Sequence, residues 1–222
     1  MINKIVEDTR QAIQGIKSGD TVLIGGFGDA GVPFKLIEAI LRTDVCDLTI
    51  VSNNAGTYKR GIEALLLAGK LRKIICSYPR SSGATAIVEL WKNRQVVLEV
   101  IPQGTLTERI RAGGAGLGGF YTPVGVNTLI AKGKEVRVID GKEYLLEKPI
   151  RGDIALLKAN KADRYGNLVY NKSARNFNPI MATAADIVVV EVNEIVELGK
   201  LDPESIITPG IFIDRVVLGG QK

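Results

Sequence analysis

The chain has 222 residues, 45% of them hydrophobic and 24% charged, which is enough to bury a core without disulfide or metal staples and excludes an intrinsically disordered protein. It contains no histidine, so Ser-His-Asp and Cys-His nucleophiles and His-ligated zinc are excluded, and acid-base or nucleophilic chemistry falls to carboxylates, lysine, tyrosine or a group from another chain. The net charge of +5 is scattered along a sequence only 5% aromatic, which mildly favours small anionic ligands and excludes the interleaved basic and stacking surface of a nucleic-acid binder.

The N-terminal stretch Met1-Ile2-Asn3-Lys4-Ile5-Val6-Glu7-Asp8 lacks the apolar core of a signal peptide. No apolar run approaches the roughly 20 residues needed to span a bilayer, so a cytoplasmic protein without a membrane partner is expected. An opening helix carries Ile5, Ile13 and Ile16 up to a turn at Ser18-Gly19-Asp20. Thr21-Val22-Leu23-Ile24 then reads as a buried strand, followed by a glycine-rich turn, and Pro33 opens a helix with Leu36, Ile37, Ile40 and Leu41 on one face. Leu48-Thr49-Ile50-Val51 is the next strand; after Ser52-Asn53-Asn54-Ala55-Gly56 comes a helix around 63–67 that stops at Gly69, a C′ glycine. A third unit runs from strand 73–77 through Pro79-Arg80-Ser81-Ser82-Gly83 to a helix holding Ile87, Val88, Leu90 and Trp91. A fourth has strand 96–101, the turn Pro102-Gln103-Gly104, and a helix in which Thr105 and Glu108 are spaced as a capping box. Cys46 and Cys76 each lie in apolar, strand-like surroundings and read as buried free thiols rather than a metal knuckle or redox pair.

Beyond Gly119 the pattern changes. Residues 136–146 read as a hairpin around an Asp140-Gly141 type I′ turn. Strands resume at 154–157, 168–170 and 187–192, with a helix near 180–185. The expected fold class is α/β: a three-layer, open, mostly parallel sheet with a small antiparallel hairpin flap, residues 1–222 forming one domain.

The glycine turns carry the first functional signal. Gly26, Gly28 and Gly31 form a GxGxxG between a strand and a helix, the context of a dinucleotide fingerprint. That fingerprint needs an Asp or Glu at the end of the second strand to hold the ribose, and the position reads Ser52-Asn53-Asn54. A second run, Gly114 to Gly119, follows a helix where such a turn would follow a strand. Both runs still offer backbone N–H groups to an anion, against the plainer reading that the glycines only permit tight turns. The loops 25–31, 52–56, 78–83 and 102–104 all fall at carboxyl ends of successive strands, where open parallel sheets bind ligands. Their side chains Asn53, Asn54, Arg80 and Gln103 are suited to carbonyl and carboxylate oxygens. The plainer reading of the asparagine pair is turn formation, and of Gln103 an exposed loop amide.

Taken together, Val22 to Phe27 with Gly31 and Pro33, Val51 to Gly56, Pro102 to Leu106 with Glu108 to Arg111, Gly113 to Pro123, and Ala174 to Pro179 resemble the α subunit of the family I CoA-transferases, the 3-oxoacid CoA-transferases, over nearly the whole chain. The resemblance implies transfer of CoA between carboxylic acids through a glutamate that becomes a mixed anhydride and then a glutamyl-CoA thioester. In the family that glutamate belongs to a β subunit, in a Ser-Glu-Asn-Gly stretch, and no glutamate of this chain is followed by Asn and Gly. A β partner, in an α2β2 assembly, is therefore implied, with no permanently bound cofactor and a CoA thioester as substrate. By the same resemblance Asn53, Asn54 and Gln103 face the acyl group, Gly25, Gly26, Phe27, Gly28 and Gly31 line the pocket, and Gly116 lies near it.

Two stretches bear on the substrate. Cys76 to Arg80 and Leu201 to Phe212 resemble members acting on 3-oxoadipate, whereas Gly113 to Phe120 resembles the acetate and acetoacetate enzymes. The expectation is succinyl-CoA with 3-oxoadipate, Arg80 or Arg60 pairing with the distal carboxylate. A sugar-phosphate isomerase on a related sheet, using Glu108 and Asp140, and a nicotinamide-dependent reductase or ligand-sensing regulator are the rival readings.

Overall fold

The computed structural model describes residues 2–79 and 86–219. Its elements in chain order are α1 (Thr9–Ala12), β1 (Thr21–Ile24), α2 (Phe34–Leu41), β2 (Leu48–Val51), α3 (Ile62–Leu67), β3 (Leu71–Cys76), α4 (Ala86–Lys92), β4 (Val97–Val100), α5 (Gln103–Gly114), β5 (Phe120–Thr122), β6 (Val136–Ile139), β7 (Lys142–Glu147), β8 (Gly152–Ala162), β9 (Leu168–Val169), α6 (Asn178–Ala182), β10 (Ala185–Ile195) and β11 (Arg215–Leu218). The main sheet has the order β11-β10-β8-β1-β2-β3-β4, with every pairing along it parallel and β9 added antiparallel to β8.

Period-two alternation explains the layering. In β1, Val22 and Ile24 join one buried cluster with Leu36, Ile37, Ile40 and Leu65, while Leu23 between them joins a second with Leu106, Ile110 and Met181. β8 divides in the same way, Ile154 and Leu156 to the first cluster, Ala155 and Leu157 to the second. Strands apolar on both faces require a helical layer on each, and α1 to α4 cover one face while α5 and α6 cover the other. The result is the expected three-layer α/β sheet.

Several boundaries differ from the sequence expectation. Ile5 is not helical; it is extended and bridges Val216 of β11, and the first helix starts only at Thr9, where Asp8 Oδ1 accepts from Gln11 N at 2.7 Å. The Thr105–Glu108 capping box is absent because α5 begins earlier, at Gln103 behind Pro102, which places Thr105 inside the helix and buries it, while Glu108 pairs with Arg111. Cys46 is exposed, and only Cys76 is a buried thiol. The hairpin is as expected, with Asp140 and Gly141 both at positive φ, and β5 pairs with β7 to make the flap three-stranded. Arg109 and Glu147 fasten this flap: the buried Glu147 carboxylate meets Lys134 and, at 3.8 Å, Arg109 of α5, whose guanidinium also reaches Glu99 of β4 at 3.1 Å.

One ionic contact ties the sheet to the first helical layer. Glu191 of β10 lies beside Lys158 of β8 in register, and Oε1 meets the Lys158 ammonium at 2.9 Å. Oε2 accepts from Lys35 N at 2.8 Å and Leu36 N at 3.3 Å, two otherwise orphaned donors in the first turn of α2. Glu191 is 4% exposed. Removing one member of such a pair leaves the other uncompensated, so Glu191→Ala is expected to cost about 3 kcal/mol. For a chain of this size that lowers the thermal unfolding midpoint by roughly 6–12 °C. A shift below about 2 °C would show that water replaces the carboxylate at no cost.

Candidate functional site

The strand order runs outward from β1 in both directions, so a topological switch point lies between the carboxyl ends of β1 and β8. The glycine-rich loop leaves β1 at this point. Phe27 and Ala30 exchange backbone hydrogen bonds at 3.0 and 3.1 Å across Gly28-Asp29, a two-residue turn that leaves the Phe27 ring half exposed at its tip.

Two asparagines from the segment before β10 hold this loop. Asn176 Oδ1 accepts from Gly26 N at 3.1 Å, and its amide donates to Ala30 O at 2.9 Å. Asn178 is fully buried; its Nδ2 donates to Gly31 O at 3.1 Å and its Oδ1 accepts from Lys158 N at 2.9 Å. This fit explains two glycines. A Cβ on Gly25 would collide with Asn178 Oδ1, and one on Gly31, at φ +72°, with the Ala174 carbonyl. Gly28, by contrast, has open space where a side chain would stand. The loop is therefore built for close packing against Asn176 and Asn178, with its backbone exposed chiefly at the tip.

Asp29 at that tip joins the loop to the one after β2. Its carboxylate accepts from Thr57 Oγ1 at 3.2 Å and pairs with Arg60, whose guanidinium also stacks over Phe34 at 4.7 Å from the ring centre. Thr57 and Arg60 close a second two-residue turn, with Tyr58 and Lys59 both at positive φ. Arg60 thus reaches the site with Asp29 already beside its charge.

The asparagine pair divides. Asn53 and Asn54 continue the alternation of β2, so their side chains leave on opposite sides of the sheet. Asn53, 3% exposed, turns towards α5: its Oδ1 accepts from Gln103 Nε2 at 2.7 Å and from Ser77 Oγ at 2.8 Å. Asn54 turns the other way, where its Oδ1 accepts from Gly56 N at 2.8 Å in an Asx turn and its Nδ2 lies 3.5 Å from Gly28 O. The structure brings Asn53 and Gln103 together and places Asn54 in the architecture of the loops.

A cleft of about 930 Å³ opens at the switch point, lined among others by Gly31, Arg60, Lys158, Asn160, Tyr170 and Glu191. Asn53 and Gln103 lie outside it, beyond the glycine loop at the ends of β2 and β4. Tyr170 at its wall is pushed up to about 12 by burial, so it stays a phenol at neutral pH. Gly116 is not brought to the loop. α5 runs back along the sheet from Gln103, and its C-terminal turn packs Gly113 against Ile150 and Gly114 against Thr183, beside the amino-terminal starts of β8 and β10. A helix of 12 residues is about 18 Å long, which carries Gly116 to the opposite edge. Arg80 lies outside the described residues.

Ser77, Asn176, Asn178 and Glu191 were not assigned roles from sequence. The Asn176-Phe177-Asn178-Pro179 stretch stood out as a pattern, but its hydrogen bonds cross about 150 residues of chain, and only the fold reveals what they hold.

Residues 6–219 match the coenzyme A transferase family. The chain is 54% identical to the A-type subunit of the 3-oxoadipate CoA-transferase of Pseudomonas putida, over 98% of its length and 94% of that relative's. It is 48% identical to the A-type subunit of the succinyl-CoA:3-ketoacid coenzyme A transferase of Helicobacter pylori strain J99, covering 98% of this chain and 93% of that one. The fold superposes on an acyl-CoA transferase (YdiF) of Escherichia coli O157:H7 with a TM-score of 0.88 at 24% identity, over 97% of this chain and 47% of that one, so this chain spans about half that structure's length. With Asn53 and Gln103 gathered at the carboxyl edge of a parallel sheet, and the match running almost end to end, the chain belongs to the coenzyme A transferase family.

Proposed function

We propose that this chain is the α-type half of a CoA-transferase that moves CoA from succinyl-CoA to a 3-oxoacid, with 3-oxoadipate as the preferred acceptor. The observation that carries this reading is the Asn53–Gln103 pair: amide donors at a sheet edge with no uncommitted carboxylate among their partners. Around that edge Asp29, Glu63, Glu99 and Glu191 each accept a hydrogen bond or pair with a cation. Donors without a nucleophile suit the half of a site that stabilises charge while a second polypeptide attacks.

In the proposed reaction a glutamate of the β-type partner attacks the acyl-CoA carbonyl carbon. The thioester C–S bond breaks, CoA leaves as the thiolate, and an acyl-glutamyl anhydride forms. CoA then attacks the glutamyl carbonyl, releasing the first acid as its carboxylate; the second acid reverses the two steps. Asn53 and Gln103 donate to the oxygen that turns negative each time the carbonyl carbon becomes tetrahedral. Asn54 acts indirectly, by holding the two loops. CoA enters as substrate and no resident cofactor takes part.

Acceptor choice rests on the similarity to the 3-oxoadipate CoA-transferase of Pseudomonas putida and on a cationic rim of Lys59, Arg60 and Lys158 along the cleft, with Arg80, outside the described residues, kept as a candidate from the sequence alone. A 3-oxoadipate carries a second carboxylate that such a rim would hold, and acetoacetate does not. The co-expressed α and β chains are expected to show kcat/KM for 3-oxoadipate at least tenfold above acetoacetate, roughly the effect of one charge-assisted hydrogen bond. Equal values, or a preference for acetate and acetoacetate, would move the assignment to the acceptor class that the Gly113–Phe120 stretch resembles.

A further inference from the structure

The side-chain amide of Asn53 has two ends in different surroundings. Oδ1 accepts two hydrogen bonds, from Ser77 Oγ at 2.8 Å and from Gln103 Nε2 at 2.7 Å. Nδ2 donates to no described residue, and it is not sealed from solvent without a partner. With Ser77 Oγ and Gln103 Nε2 donating, Oδ1 is the end held against these two partners, and Nδ2 is left to point away from them.

Ser77 is the stiffer of the two partners. Gln103 is exposed on a long side chain, whereas Ser77 has a single side-chain torsion and directly follows β3. Its position is fixed by the backbone: Ser77 N and Tyr78 N donate to Asn53 O at 3.1 and 3.0 Å, and Asn54 bridges Tyr78 in parallel. The hydroxyl also lies 3.1 Å from Asn53 O, so its hydrogen is shared between backbone and side-chain oxygens of the same residue. A half-buried serine that spends its hydroxyl on Asn53 alone has no evident role in the core.

We propose that Ser77 is a positioning residue for the transferase reaction, holding the Asn53 amide so that Nδ2 faces the substrate oxygen. The proposal rests on the reading of Asn53 as a donor to that oxygen. Without Ser77 the amide is anchored only by the exposed Gln103 side chain, and the donor spends part of its time misdirected.

The test compares Ser77→Ala, Ser77→Thr, Asn53→Ala and the Ser77→Ala/Asn53→Ala double variant in the assembled α–β enzyme, by steady-state kinetics and thermal unfolding. Ser77→Ala is expected to lower kcat about tenfold with KM for the acyl-CoA within about twofold, and Ser77→Thr, which keeps the hydroxyl, to recover most of the loss. In the Asn53→Ala background, Ser77→Ala is expected to change kcat less than about twofold, because the group it positions is gone. If Asn53→Ala lowers kcat and Ser77→Ala does not, the positioning role is overturned and the reading of Asn53 stands. If Ser77→Ala costs about as much without Asn53 as with it, Ser77 acts independently and the proposal fails. Wild-type kcat in Asn53→Ala would remove the underlying reading together with the proposal. Should the alanine variant fail to assemble, Ser77→Thr decides: a tenfold loss with the hydroxyl present overturns the role.

Discussion

Purified without a partner, this chain is expected to transfer no CoA from succinyl-CoA to any 3-oxoacid, and borohydride treatment after incubation with acyl-CoA is expected to leave its mass unchanged. There is no histidine in the sequence to activate a serine or cysteine. Burial pushes the Cys76 thiol up to about 12, so on the order of one part in 10⁵ is thiolate at pH 7. Cys46 is exposed, but it precedes β2, at the end of the sheet away from Asn53. The Tyr170 phenol is likewise pushed up to about 12. Asp29 and Glu191 are paired with Arg60 and Lys158, and Glu63 accepts from Lys59 N, so freeing any of them to attack would break the loops or the helix that shape the site. Co-expression with a β-type chain is expected to restore transfer and to place the reducible thioester on that second chain. A reduced glutamate mapped to this chain, or turnover by it alone, would end the half-site reading.

The central layer was legible in the sequence because it is written in local signals. Strands β1 to β4 are short apolar runs followed by helices, and the stop at Gly69 and the Asp140-Gly141 turn depend on backbone conformations that glycine supplies. Long-range effects escaped. β8 and β10 extend to 11 residues each because they pair with each other along nearly their whole length, past the apolar runs that mark their centres. β11 has few residues and gains order from β10 and from Ile5, a contact across most of the chain. At the site, Asn53 and Gln103 could be found from the rule that loops at carboxyl strand ends bind ligands. That Asn54 would face the other way follows from strand alternation, a constraint that loop composition hides. Gly116, placed near the pocket by resemblance alone, lies at the opposite edge because α5 runs back along the sheet. Arg60, expected to pair with a distal carboxylate, already has Asp29, 31 positions away in sequence, lying against it.

Asn53→Ala in the assembled enzyme is expected to lower kcat by about 10²–10³-fold while changing KM for the acyl-CoA little, the signature of a donor that strengthens only as the oxygen becomes an anion. The structure also says why this loss should not be a folding defect. Asn53 Oδ1 is the acceptor of two hydrogen bonds, yet neither donor is stranded by its removal: Ser77 Oγ keeps the residue-53 carbonyl at 3.1 Å, and Gln103 is exposed and can turn to water. The expected stability cost is therefore about 1 kcal/mol, or roughly 2–4 °C in the unfolding midpoint. Asn54→Ala should divide the opposite way. It removes the Asx turn at Gly56 and the contact to Gly28 O, loosening both loops, and its effect on kcat should follow the thermal midpoint. Asn53→Asp supplies the sharper contrast: it preserves shape but replaces the donor with a second negative charge facing the developing oxyanion, so kcat should fall at least as far as with alanine. If Asn53→Ala stays within about threefold of the wild-type kcat, or if Asn53→Asp is the more active of the two, the oxyanion must be held by groups other than this amide.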